Sequence, residues 1–321
     1  MLADILPVVA GANATTLRQH ALKVAERVEA ELGDERSSFI DGCPAQWAAL
    51  PIPEGRIVVG LDGGYVRDWY ERKANFELIV GRSMPEDREP RYIGLVQGYD
   101  RKPKRRLFEL LTAQGVQPNQ DVTFLTDGGI TLRPLTERIT PECEHVLDWF
   151  HVAMRVTVLG QYARGVAHYD EGEGARLLAA LERIKWLLWH GDKDNALQDA
   201  EALRDDAEML ELDYPLLSKF TRSAQEFAAY ITANASSLIN YGERHRSGER
   251  ISSAMAESTV NAAISKCFAK RQQMQWTKRG AHLLLQTRTR ALDGSLRPLF
   301  ETWYPGLAND NTSQTAQSHA A

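Results

Sequence analysis

The spacing of apolar residues changes along the chain, and each change marks a different kind of element. Up to residue 35 the apolar positions recur at helical intervals. Leu2–Val9 is followed by a break at AGANA and then by TLRQHALKVAERVEAEL, with Thr15 or Thr16 as its cap and Gly33 as its stop. The pair reads as an ordinary helical hairpin or as the remnant of a DNA-contacting helix-turn-helix.

From Gly55 the runs become short, β-branched and aromatic, as in strands. They are Arg56–Leu61, Phe76–Val80, Tyr92–Gln97, Val122–Leu125 and His145–Trp149. Helical stretches follow the third run, over Lys104–Gln114 with a stop at Gly115, and the fifth, over Phe150–Tyr162. Three strands in succession, then alternating helix and strand, predict an α/β fold. Its mixed five-stranded sheet is flanked by helices and is not purely doubly wound. Residues 172–240 carry helical periodicity without a strand signal, which predicts an all-helical insertion. Helix resumes at Ala254–Arg271 and around Gly280–Leu292, and the polar tail after Gly306 is expected to be disordered. The organisation is then 1–54 helical, 55–165 the first part of a core, 166–250 the insertion, 251–305 the returning part of the core, and 306–321 the tail.

A length of 321 residues with 43% hydrophobic and 25% charged positions suits a globular chain of about one to two domains. The N-terminus has no basic region before an apolar stretch and no run is long enough to span a membrane, so a cytoplasmic location is expected. The cysteines Cys43, Cys143 and Cys267 are far apart and form no CxxC pair, which points away from a disulfide framework or a zinc knuckle. The net charge of −5 disfavours nucleic acid, but its distribution reverses that argument. Ser258–Leu292 has no acid and carries Lys266, Lys270, Arg271, Lys278, Arg279, Arg288 and Arg290, whereas Asp192–Asp213 has nine acids against Lys193 and Arg204. The basic stretch is a candidate phosphate-binding stripe or a solvated helix face. Trp276 lies within it and could stack on a base, whereas Trp186, Trp189 and Trp303 read as core. Arg101–Arg106 is a second basic cluster with the same two readings.

Three carboxylates stand out. Asp62 closes the first predicted strand in IVVGLDGG, and Asp127 closes the fourth in VTFLTDGG. Strand ends are where an α/β sheet displays reactive groups, although Asp-Gly also makes common turns. Glu257 lies near the start of the late helix; at ~100° per residue it shares a sector with Val260, Ile264, Cys267 and Phe268. A carboxylate directed toward the protein body needs a partner, either an arginine or a divalent metal shared with Asp62 and Asp127. Hard oxygen ligands suit Mg²⁺ or Mn²⁺, and two such ions about 3.5–4 Å apart serve phosphodiester chemistry.

In this order the three segments resemble the Asp, Asp and Glu of bacterial insertion-sequence DDE transposases, most closely those of the ISKra type. Asp148-Trp149-Phe150-His151 is similar to the D-x-x-H signature that follows the second Asp in related groups. Lys185-Trp186-Leu187-Leu188-Trp189-His190-Gly191 looks like the motif of their helical insertion. Glu257 through Gln272-Gln273-Met274-Gln275-Trp276 to Gly280–Arg288 looks like their C-terminal block. The resemblance covers about residues 10–305.

It implies a ribonuclease-H-like core split by the insertion, with Asp62, Asp127 and Glu257 holding Mg²⁺ or Mn²⁺. It also implies DNA end cleavage and strand transfer, with element ends and target DNA as partners and a homo-oligomer on DNA near the nucleoid. His151 would position the DNA strand or leaving group, or simply pack at its helix start. Asp148 would support it, and Asn261 would orient Glu257. Two departures from the family are the short N-terminal region, which reads as a truncation, and Cys267 at a position more often basic. Three readings therefore remain: an active transposase, a catalytically silent relic acting as a DNA-binding regulator, and a ribonuclease-H-like nuclease without strand transfer.

Overall fold

The structure of the protein, a computed structural model, describes residues 13–253 and 275–306. Its centre is a mixed sheet built from β1 (Ile57–Asp68), β2 (Asn75–Ser83), β3 (Tyr92–Val96), β4 (Val122–Thr126) and β5 (Cys143–Leu147). The spatial order is β3-β2-β1-β4-β5, and a two-residue strand β6 (Gln275–Trp276) adds to the end of β1. β1, β2 and β3 pair antiparallel, while β4 and β5 run parallel to β1. The helices are α1 (Ala14–Glu31), α2 (Pro44–Ala48), α3 (Pro103–Ala113), α4 (Arg133–Thr136), α5 (Trp149–Ala167), α6 (Glu171–Trp189), α7 (Lys193–Met209), α8 (Leu217–Ala233), α9 (Tyr241–Arg246), α10 (Lys278–Leu292) and α11 (Leu296–Trp303). A mixed sheet of this order with flanking helices is compatible with a ribonuclease-H-like fold. None of the described helices is long and apolar enough to cross a membrane.

Side chains alternate across the sheet and so fill two layers. On one face Val59, Leu61, Ile79 and Phe124 pack with Leu107, Leu110 and Leu111 of α3. The opposite face carries two clusters. Val58, Leu125 and Val146 meet Val152 and Val156 of α5, and this cluster continues through Leu181, Leu203, Phe220 and Phe227 into the helices α6 to α8. Further along β1, Val66, Leu78 and Val80 meet Ala281 and Leu285 of α10. Asp62 falls on this second face, between Val58 and Val66.

Five sequence expectations need correction. β1 does not stop at Asp62; its ladder with β2 runs from Val59 opposite Ser83 to Arg67 opposite Asn75 and keeps Gly63 and Gly64 extended. The strand ends at Asp68, whose side chain accepts from the Tyr70 amide at 2.7 Å to form the turn. β5 stops at Leu147, because Asp148 caps α5 and Trp149 already belongs to the helix. Asn13, not Thr15 or Thr16, caps α1 by accepting from the Thr15 amide at 2.9 Å. Trp186, read as core together with Trp189 and Trp303, is 54% exposed and stacks on His190.

The Arg101–Arg106 cluster is neither a solvated face nor an open phosphate surface. Glu35 caps α3, accepting from the Lys104 and Arg105 amides at 3.1 and 2.8 Å. Lys102 and Lys104 donate to the carbonyls of Leu32 and Glu137. Arg106 is buried and binds Asp100 at 2.9 Å, Glu29 at 2.8 Å and Gln286 at 2.6 Å, tying α3 to α1 and α10. Burial pushes the Glu29 carboxyl upward, but His282 and Arg106 outweigh it and hold the group below its usual range. Removing one partner of such a buried charge set costs about 3–5 kcal/mol, so the cluster anchors α1 to the core.

Candidate functional site

The last paired rung between β1 and β4 places Leu61 beside Thr126, and Asp62 and Asp127 come next on these two neighbouring strands. Adjacent strands lie ~4.8 Å apart, so the two aspartates named from the sequence are brought together at the end of the parallel part of the sheet. Their local settings differ. Asp62 is buried inside β1, and its Oδ1 accepts from the Gly63 amide at 2.7 Å.

Asp127 is half-buried in a turn. Gly129 donates to its Oδ1 at 2.8 Å, and Gly128 donates to the Thr126 hydroxyl at 3.1 Å. Gly128 has φ +81, and a β-carbon there would fall 2.7 Å from Asn234 and from Leu147. Glycine is required at this position both by the left-handed backbone and by the close approach of Asn234.

The turn is locked from behind by His145. One ring nitrogen lies 2.7 Å from the Thr126 hydroxyl and the other 2.7 Å from the Ser237 hydroxyl, to which Arg133 donates at 2.9 Å. Burial first, then the charge of Arg133, pulls His145 down to about 4, against the opposing influence of Asp127 and Glu137. His145 is therefore neutral at physiological pH and serves as a hydrogen-bonding post.

Glu77 on β2 was not found from the sequence. It sits opposite Tyr65 in the ladder, and its Oε1 occupies the space that a β-carbon on Gly63 would need, 2.7 Å away. Burial raises the Glu77 carboxyl above its ordinary value, the Thr131 hydroxyl opposes this, and the negative charge of Asp127 raises it further. Tyr65 is likewise raised, by Glu77 first and then by burial and Asp127. The one available signal was a lone carboxylate inside the apolar run FELIV.

The negative charge of Asp127 is thus felt at Tyr65 on β1, Glu77 on β2 and His145 on β5. Among the described residues, no lysine or arginine nitrogen comes within 4.0 Å of the Asp127 or Glu77 carboxylates. Carboxylates without a compensating cation among the described residues suit a hard cation or the proton of a reacting group.

Asp148, buried completely, acts as a joint. Its amide donates to the Thr126 carbonyl at 2.8 Å, one carboxylate oxygen caps α5 at the Phe150 amide at 2.8 Å, and the other accepts from the Ser253 amide at 2.9 Å and from the Ser253 hydroxyl. His151 follows in the first turn of α5, and its Nε2 is buried without a hydrogen-bond partner among the described residues.

Glu257, Asn261, Lys266, Lys270, Arg271 and Cys267 lie outside the described residues. Of the remaining basic-stripe residues, Lys278 and Arg279 are exposed at the start of α10, where Arg279 pairs with Glu26. Arg288 is half-buried further along the same helix. Trp276 is half-buried beside Val66 and Phe76, and its carbonyl accepts from the Trp69 amide at 2.9 Å.

Among the described residues, one trio offers metal-ligand atoms all within 4.8 Å of one another: Glu29, Asp100 and His282. Its carboxylates are already bound by Arg106, so it reads as a structural charge network. Comparison of the chain with known proteins finds no matching family model and no matching curated protein.

Proposed function

We propose that the chain is a DDE-type transposase with a ribonuclease-H-like core that cleaves DNA ends and joins them to target DNA. In this reading the helices α6 to α8 are the insertion that splits the core. The observation that carries the proposal is the meeting of Asp62 and Asp127 on neighbouring strands, with no described cation paired to Asp127.

The ends of the segment containing Glu257 add support. Ser253 is pinned to Asp148, whose own backbone bonds Thr126, so the segment leaves from beside Asp127. Glu257 is four residues beyond, within about 14 Å of extended chain. Ile251 and Trp276 belong to the two clusters that flank Asp62 on its face of the sheet.

These donors fit Mg²⁺ or Mn²⁺: all are carboxylate oxygens, and none of the described basic groups competes for Asp127. Asp62 and Asp127 would hold the metal, with Glu257 completing the set. A bound ion of this class supplies Lewis acidity to a phosphoryl oxygen and lowers the pKa of water. The chain itself supplies the rest. The turn at Gly128 and the post at His145 hold Asp127 in place, and His151 offers a buried ring nitrogen to a strand or leaving group. The partners in this reading are element-end and target DNA, bound by a homo-oligomer in the cytoplasm at the nucleoid.

Incubating the full chain with labelled plasmid and oligonucleotide DNA in Mg²⁺ or Mn²⁺ tests this. Nicked and joined products that vanish in Asp62→Asn and Asp127→Asn are expected. Cleavage without joining would replace the reading by a nuclease. DNA binding with neither product, in the wild type and both variants alike, would replace it by a silent DNA-binding relic.

A further inference from the structure

Beside the Asp127 turn lie buried donors that the proposed carboxylate chemistry does not use. Asn234 touches Gly128, and one helical turn earlier on α8 stands Tyr230, whose carbonyl accepts from the Asn234 side chain at 2.9 Å. The guanidinium of Arg155 on α5 lies over the Tyr230 ring, 4.0 Å from its centroid. One turn back from Arg155 is His151, and three residues before that is Asp148, bonded to Thr126. The contacts close a circuit from the turn through α8 and α5 back to the turn. Among the described residues, His151 Nε2 and Arg155 Nε on that circuit are buried without a hydrogen-bond partner, and the Tyr230 hydroxyl has only Arg155 beside it.

This pattern is costly unless a ligand completes it. A guanidinium carries five donors and a permanent charge, yet Arg155 forms no ion pair among the described residues. Asp127 is near enough to raise the Tyr230 phenol. Burial drives the phenol well above its ordinary value, Arg155 offsets part by its charge and by a hydrogen bond to the phenol oxygen, and Asp127 adds to the rise, so the hydroxyl keeps its proton and can donate it. A planar fork, a neutral hydroxyl and an imidazole on one wall match the oxygens of a phosphodiester.

We propose that Arg155 and Tyr230, flanked by His151, form a seat for one phosphodiester of a DNA strand and hold that strand against Asp127. The seat rests on the transposase reading for its position in a reaction but binds without metal. Arg155 and Tyr230 are positioning residues in this proposal: they hold the strand and take no part in the bond-making step.

The test is a titration of the full chain, in chelator and low salt, with the 5′-phosphorylated dinucleotide pTpT, following the ring signals of His151 and Tyr230. Saturable shifts are expected in the wild type. Arg155→Gln should weaken binding by roughly tenfold or more, as for loss of a charged hydrogen bond, with Arg155→Lys intermediate. Tyr230→Phe should weaken it by about fivefold; it removes only the hydroxyl and carries the test if Arg155→Gln melts early. Asp127→Asn should bind at least as well as the wild type while abolishing cleavage. Absence of saturable shifts in the wild type, or unchanged affinity in both Arg155→Gln and Tyr230→Phe, overturns the seat. Arg155-dependent binding by a wild type that never cleaves DNA retains the seat and removes the transposase reading instead.

Discussion

The chain contains Asp-Gly-Gly twice after an apolar strand sequence, and the two copies fold differently. In IVVGLDGG the strand continues, because β2 pairs with β1 beyond the glycines and holds them extended. In VTFLTDGG the parallel partner ends at Leu147, and Gly128 turns into the left-handed region under Asn234. The same three residues are a strand interior in one place and a turn in the other. What separates them is pairing beyond the aspartate: β2 continues beside β1 to Arg67, whereas β4 has no rung past Thr126 with either β1 or β5. Both arrangements nevertheless carry an aspartate to the same end of the β1–β4 pair.

Substitution of the two aspartates should give the largest effect. Asp62→Asn and Asp127→Asn should each lower metal-dependent DNA cleavage by ~10²–10³-fold, the scale for losing a group that stabilises transition-state charge. A large loss in only one of them would break the equivalence of the two sites. Next are the glycines. Gly128→Ala combines a left-handed backbone with a clash against Asn234 and Leu147 and should destabilise the fold by roughly 4 kcal/mol in denaturant titration. Gly63→Ala meets only the end of the Glu77 side chain, which can swing aside, and should cost under about 1 kcal/mol. Equal costs would show that the two motifs share one conformation.

Acid should affect the turn through His145. Its folded value of about 4 lies below the ordinary 6.5, so its contribution is fully present above pH 6.5 and is lost as pH falls toward 4. The loss should be on the order of 3 kcal/mol, and His145→Gln should flatten that part of the stability profile. An unchanged profile would remove His145 as the post behind Asp127. The smallest effect is a titration shift: Asp127→Asn should lower the Glu77 midpoint, read from its carboxyl carbon signal. No movement would separate Glu77 from the site.

The fold was legible to the extent that it depends on local periodicity. Alternating and helical apolar spacing located all five main strands and the long helices, because burial of one face imposes those periods directly. The ends were less legible. Asp62 looked terminal because Asp-Gly is a local turn signal, and the pairing that overrides it is nonlocal. Arg101–Arg106 looked like a solvated or phosphate-binding surface because its partners Glu29, Glu35 and Gln286 are distant in sequence.

The sequence by itself determined the strands, the helices and the presence of aspartates beside the glycine pairs. These follow from residue types and their spacing within a single element. Only the tertiary structure decided that Asp62 and Asp127 become neighbours, that Glu77 leans over Gly63, and that Arg155 lies on Tyr230 beside the Asp127 turn. Each of these depends on register between strands or on packing of α5 against α8, where residues far apart in the chain share one space.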